Sequence, residues 1–119
     1  MGLDQNAWKV SQEGEREELA YWRKHNRLQG WMEELYRRKG GMEEFNCVDV
    51  ELTLEDIDQL EATILNKTLP ETQGFFFGND SYKDYEDDEY GYKKDDITFI
   101  EKAKKILNNG NKLYYSSWW

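Results

Sequence analysis

"REELAYWRKHNRLQGWMEELYRRKGG", from Arg16 to Gly41, is the stretch whose reading sets the fold class. Tyr21, His25, Leu28, Met32 and Leu35 recur at three- and four-residue intervals, the spacing of one helix face, with Trp22 and Trp31 flanking the stripe. Acids precede the run, Arg37, Arg38 and Lys39 end it, and Gly40-Gly41 stop it. That order complements a helix dipole at both ends. Gly30 is the weak point inside, at a cost of about 1 kcal/mol against Ala. The spacing predicts one long helix over the whole stretch.

Two further helices follow the same logic. In "TLEDIDQLEATILNKTL", Thr53 is placed as an N-cap with Asp56 three residues on, and Ile57, Leu60 and Ile64, extended by Leu65, form the inner stripe. In "DDITFIEKAKKILNNG", Asp95 and Asp96 open the helix, Ile97, Ile100, Ala103 and Leu107 face inward, and Asn109-Gly110 close it. The fold class expected is therefore mainly α. It is a compact single domain over residues 1–119, built from three principal helices with short extended segments around 46–52, 74–77 and 112–118. The first 13 residues read as a flexible arm.

Composition narrows the function classes. Aromatic residues make up 15% of the chain, far too many for a disordered one, so it folds. A net charge of −9 argues against general binding to nucleic acid or anionic membrane, because both demand neutralising Lys and Arg. A single cysteine, Cys47, excludes an internal disulfide and suits a reducing cytoplasm, where it is expected as a small buried apolar residue. The N-terminus lacks the apolar core of a signal peptide, and no run approaches a membrane span.

Catalytic and cofactor signatures are absent from the sequence. One His and one Cys cannot build a zinc site, and no phosphate loop or dinucleotide fingerprint occurs. No catalytic residue, metal or cofactor is assigned. The acidic run "DYEDDEY" lacks the spacing of a calcium loop and reads as solvated surface. "YWRKHN" is the densest functional group: on a helix, Trp22, Arg23, Asn26 and Arg27 would share one side with Gly30. Arg offers a planar fork for phosphate, Asn a donor and an acceptor, and Trp a stacking plane. The competing reading is an amphipathic helix whose charged face pairs with Glu17, Glu18 or Glu34. "YYSSWW" is the second cluster, with hydroxyls at Ser116 and Ser117 between flat rings; an aromatic anchor filling the core explains it equally.

Taken together, "YWRKHNRLQGWM", Asn46-Cys47, "LPETQGFFFGNDSYKDY" and "YYSSWW" resemble, in this order, a family of small uncharacterised bacteriophage proteins. Tyr21, Trp22, Arg23, Lys24, Asn26 and Trp31 carry its Tyr-Trp-Arg-Lys-x-Asn motif and the following Trp. Gln29 stands where relatives often have His, which weakens any acid–base role there. The resemblance implies a phage-encoded, non-enzymatic protein acting against host defence in the bacterial cytoplasm. Its expected ligand is a small anionic, nucleotide-type signalling molecule, sequestered in a pocket assembled at a homo-oligomer interface. Trp22, Arg23, Lys24, Asn26, Thr72, Gln73, Ser116, Ser117 and Trp118 are the ligand-binding residues this implies. The alternative is an acidic, possibly DNA-mimicking inhibitor presenting Asp80 to Asp88 to a host protein.

Overall fold

The computed structural model describes residues 3–23, 25–67, 69 and 93–118, with Asn26 given by its backbone only. Strands Asp4–Val10 (β1) and Arg16–Arg23 (β2) come first, followed by helix Asn26–Arg38 (α1). Strand Val50–Leu52 (β3) and helix Leu54–Leu65 (α2) follow. Helix Lys93–Asn108 (α3) and strand Lys112–Trp118 (β4) complete the described order. The strands form one antiparallel sheet in the order β2-β1-β4-β3. This is an α+β domain, which corrects the mainly α expectation.

The correction begins in the opening stretch. Arg16–Arg23 is a strand, and helix starts only at Asn26. Helix and strand patterns overlap here, because Ala20 and Trp22 also alternate with Leu19, Tyr21 and Arg23. Propensity differences among ordinary residues stay within about 0.7 kcal/mol each. Burying one Trp, by contrast, removes roughly 150–250 Å² from water, worth about 4–6 kcal/mol. As a strand, the segment buries Trp22 edge-on against Phe99, with ring centroids 4.9 Å apart. Tertiary packing therefore decides the segment. Asp4–Val10, expected as part of a flexible arm, is an inner strand bonded on both sides.

A five-residue turn joins β1 to β2, with the Ser11 N–H donating to Glu15 O at 2.9 Å and Gly14 at φ 88°. Pairing then passes from Ala7↔Ala20 to Trp8↔Glu18, so Leu19 is an extra residue, a β-bulge. One face of the sheet is buried. Ala7, Trp22, Val50, Leu52, Leu113 and Tyr115 meet Leu28, Met32 and Leu35 of α1. They also meet Ile57, Leu60 and Ile64 of α2, and Phe99, Ile100 and Ala103 of α3. The predicted inner stripes of the two later helices are largely present, though Leu65, at the last position of α2, is exposed, and Ile97 and Leu107 are only half-buried while Phe99 is buried in α3.

Polar groups tie these layers together. Asp96, in the first turn of α3, accepts from Trp22 Nε1 at 2.9 Å and pairs with His25 Nε2 at 2.7 Å. His25 and Asp96 are 0% and 1% exposed. Gln5 of β1 donates from Nε2 to the His25 carbonyl and to the Tyr115 hydroxyl, both at 2.9 Å. Its Oε1 accepts from the His25 N–H at 2.8 Å. Tyr115 in turn donates to Gln29 Oε1 at 2.6 Å, while burial pushes its own pKa far up. His25, expected to complete an apolar helix stripe, is instead the corner between β2 and α1.

At the far edge, Lys39 Nζ donates to the Glu51 carbonyl of β3 and to Asp56 Oδ2, each at 2.6 Å. Asp56 also closes the capping box expected from the sequence, accepting from Thr53 N while Thr53 Oγ1 accepts from Asp56 N. Partial burial raises the Asp56 pKa, but the bonds from Lys39 and Thr53 outweigh it and hold the carboxyl below 3.8.

Two expected outcomes follow from these contacts. Because the Asp56 pKa is lowered on folding, its stabilisation is present above the unfolded value and is lost as pH falls through the lowered folded value. Asp56→Asn should cost about 1 kcal/mol at pH 7, and urea unfolding should show the gap to wild type closing as pH falls below the ordinary aspartate value. Tyr115→Phe strands Gln29 Oε1 and a Gln5 donor; it should cost about 1–3 kcal/mol. Tyr114→Phe, a half-buried control on the other face, should stay within about 0.5 kcal/mol.

Candidate functional site

The sheet face away from the helices is a grid of side chains set by the strand register. One row is Arg23, Asp4 and Trp118; the next is Tyr21, Asn6 and Ser116; a third joins Glu18, Trp8 and Tyr114. Trp118 is 65% exposed and Tyr21 54% exposed. Large rings left in water on a regular sheet are informative, because the fold gains nothing from them there.

Hydrogen bonds knit the rows. Trp8 Nε1 donates to Ser116 Oγ at 3.1 Å, and Asn6 Nδ2 donates to Glu18 Oε1 at 2.9 Å. The Tyr21 hydroxyl donates to Asp4 Oδ1, and that bond is the main reason its pKa is raised, with some desolvation and the Asp4 charge adding to it. Arg16 lies across Trp8, its guanidinium carbon 5.1 Å from the ring centroid, and its Nη2 donates to Asp49 Oδ1 at 3.0 Å. Asn6, Trp8, Arg16, Cys47, Asp49, Ser116 and Trp118 line a groove of about 310 Å³ on this face.

The residues predicted from the sequence divide between the two faces. Arg23, Ser116 and Trp118 come together on the open face. Trp22 and Ser117 turn inward: Trp22 bonds Asp96, and the Ser117 hydroxyl is buried although the residue borders the groove. Asn26 is the first residue of α1. The predicted grouping of Trp22, Arg23, Asn26 and Arg27 on one helix side is corrected, because the chain changes from strand to helix between Arg23 and Asn26. Arg27 is buried and donates from Nη1 to the Leu69 carbonyl at 3.0 Å. Lys24, Thr72, Gln73 and the acidic run Asp80 to Asp88 lie outside the described residues, as do the extended segment 74–77 and its Phe rings.

Cys47, expected to be buried, is exposed with a positive φ of 60°, its N–H donating to the Ser117 carbonyl at 2.7 Å. Asn6, Trp8 and Arg16 are not among the predicted site residues, and Tyr21, expected in the inner stripe of a helix, is exposed on this face. With residues 1–13 as an arm and Arg16–Arg23 as a helix, these side chains share no common face. The alternation in "DQNAWKV" was the signal available.

The groove offers stacking planes, hydroxyl and amide groups, and Arg16, while Arg23 stands on the same sheet face by register. Each arginine is close to an acid, Arg16 to Asp49 and Arg23 to Asp4 by register. Exposed ion pairs are worth about 0–1 kcal/mol, whereas a hydrogen bond to a charged group contributes about 1.5–3 kcal/mol. An incoming phosphate can therefore recruit such a guanidinium at small cost. Among the described residues, no group of three or more His, Cys, Asp and Glu is arranged to hold a metal, and no helix is long and apolar enough to cross a membrane. Compared with family models, with curated proteins and with solved structures, the chain matches none.

Proposed function

We propose that the chain is a non-enzymatic binding protein whose open sheet face takes a small anionic ligand of nucleotide type. The observation that carries this reading is Trp118, 65% exposed, on the same face as Ser116 and Arg23 and beside the groove of Trp8, Asn6 and Arg16. A base stacks on Trp118, polar atoms of the sugar meet Asn6 and Ser116, and a phosphate meets an arginine. Base–aromatic stacking contributes about 1–3 kcal/mol per base without needing a sequence code.

Size favours a small ligand over a protein here. Three strands of seven or eight residues and one of three, at about 4.8 Å spacing and about 3.4 Å per residue, give a face of roughly 400 Å², half of what a standard interface buries on each partner. With the resemblance to phage proteins, the reading becomes sequestration of an immune signalling nucleotide in the host cytoplasm. A second copy of the chain would complete the site.

Titration with cyclic nucleotides and ADP-ribose derivatives, followed by calorimetry, should give a saturable hit. Trp118→Ala should weaken it about 5- to 100-fold, with the melting curve kept. Bound ligand should also shield Cys47, the sole cysteine, from thiol reagents. The ligand should come back chemically unchanged and sedimentation should report an oligomer. A folded protein that answers no nucleotide ends the proposal, and a converted ligand makes the protein a hydrolase.

A further inference from the structure

Arg16 and Asp49 come from opposite sides of the sheet. Arg16 opens the edge strand β2, and Asp49 immediately precedes β3 at the other edge. Their contact therefore spans the outer face of β1 and β4, above Trp8. Both side chains are 45% exposed, so the pair closes the groove with a contact that solvent ions and ligands can reach. A guanidinium held over an indole and facing a carboxylate already has a donor aimed where a phosphate oxygen would sit.

We propose that Asp49 occupies the phosphate position of the empty site, and that a nucleoside monophosphate binds by replacing it on Arg16. This rests on the nucleotide reading above and adds the ligand's size and direction. Trp8 and Trp118 lie on neighbouring strands at positions four residues apart, which is about 13 Å along the sheet. Asn6 and Ser116 pair in register between them. A groove of about 310 Å³ stands at the small end of ligand sites, which run from about 300 to 1,000 Å³, so it holds one nucleotide. The base lies on Trp118, the sugar over Asn6 and Ser116, and the phosphate at Arg16 beside Trp8.

Asp49 then acts as a selectivity device. An uncharged nucleoside has nothing to offer Arg16 in exchange for the acid. A terminal phosphate, with about 1.5 to 2 charges at pH 7, displaces a single carboxylate more readily than a phosphodiester does. The acid also repels any phosphate until Arg16 has changed partners.

Calorimetry on the full chain with AMP, adenosine and cyclic AMP separates this inference from the one beneath it. In wild type, AMP should bind more tightly than cyclic AMP, and cyclic AMP more tightly than adenosine. Asp49→Asn should tighten AMP by about five-fold, the scale of an exposed ion pair, and leave adenosine unchanged. Arg16→Gln should remove the advantage of AMP over adenosine. If AMP and adenosine bind but Asp49→Asn leaves AMP unchanged or weaker, the exchange is wrong while the site stands. If neither binds wild type nor Asp49→Asn, both with native circular dichroism, site and exchange fall together. Asp49→Ser serves as the second variant should the asparagine disturb folding.

Discussion

The Asp96 carboxylate is the constraint around which this fold is organised. A carboxylate withdrawn from water is costly unless its oxygens are satisfied. Here Trp22 supplies one donor and the His25 ring meets the other oxygen, and both belong to the passage from β2 into α1. Gln5 binds the backbone of His25 on both sides and passes the connection to Tyr115, which reaches Gln29. One polar chain thus joins α3, the β2–α1 corner, β1, β4 and α1. Apolar packing gives the core its bulk, while these bonds fix which residue faces which. A shift of β2 by one residue would separate Trp22 from Asp96 and leave a buried acid without its donor.

The same chain of contacts sets the groove on the reverse side. Gln5 lies between Asp4 and Asn6, Trp22 between Tyr21 and Arg23, and Ser117 between Ser116 and Trp118. In each strand the residue held inside determines where its two neighbours stand outside. The backbone positions of the open face are therefore set by the core behind it, and a sheet positions ligand groups better than a loop.

Legibility followed the range of the forces involved. The capping box of Thr53 and Asp56, the stripe of Ile57, Leu60 and Ile64, and the last strand were readable, because local spacing and capping chemistry decide them. Arg16–Arg23 was not readable in isolation. Its residues suit a helix, and only the pocket offered by Phe99 and Asp96, more than 70 positions away, makes it a strand. That single misreading converts a sheet protein into a helical one. At the candidate site, Arg23, Ser116 and Trp118 were legible as chemistry but not as a face. Trp22 and Ser117 were chosen for the same chemistry and belong to the interior. Residue type does not reveal which side of a strand a side chain will take.

The bulge at Leu19 decides the electrostatics of the open face. Arg16 and Arg23 are an odd number of residues apart, so a regular strand would send them to opposite sides of the sheet. The extra residue between Ala20 and Glu18 reverses the alternation midway along β2. Both arginines consequently emerge on the solvent side, one at each end of β2. Were Leu19 accommodated in a regular strand, Arg16 would point toward the helices and the open face would lose that charge. A backbone irregularity, contributing no functional group of its own, acts here as the counting error that makes the face bipolar.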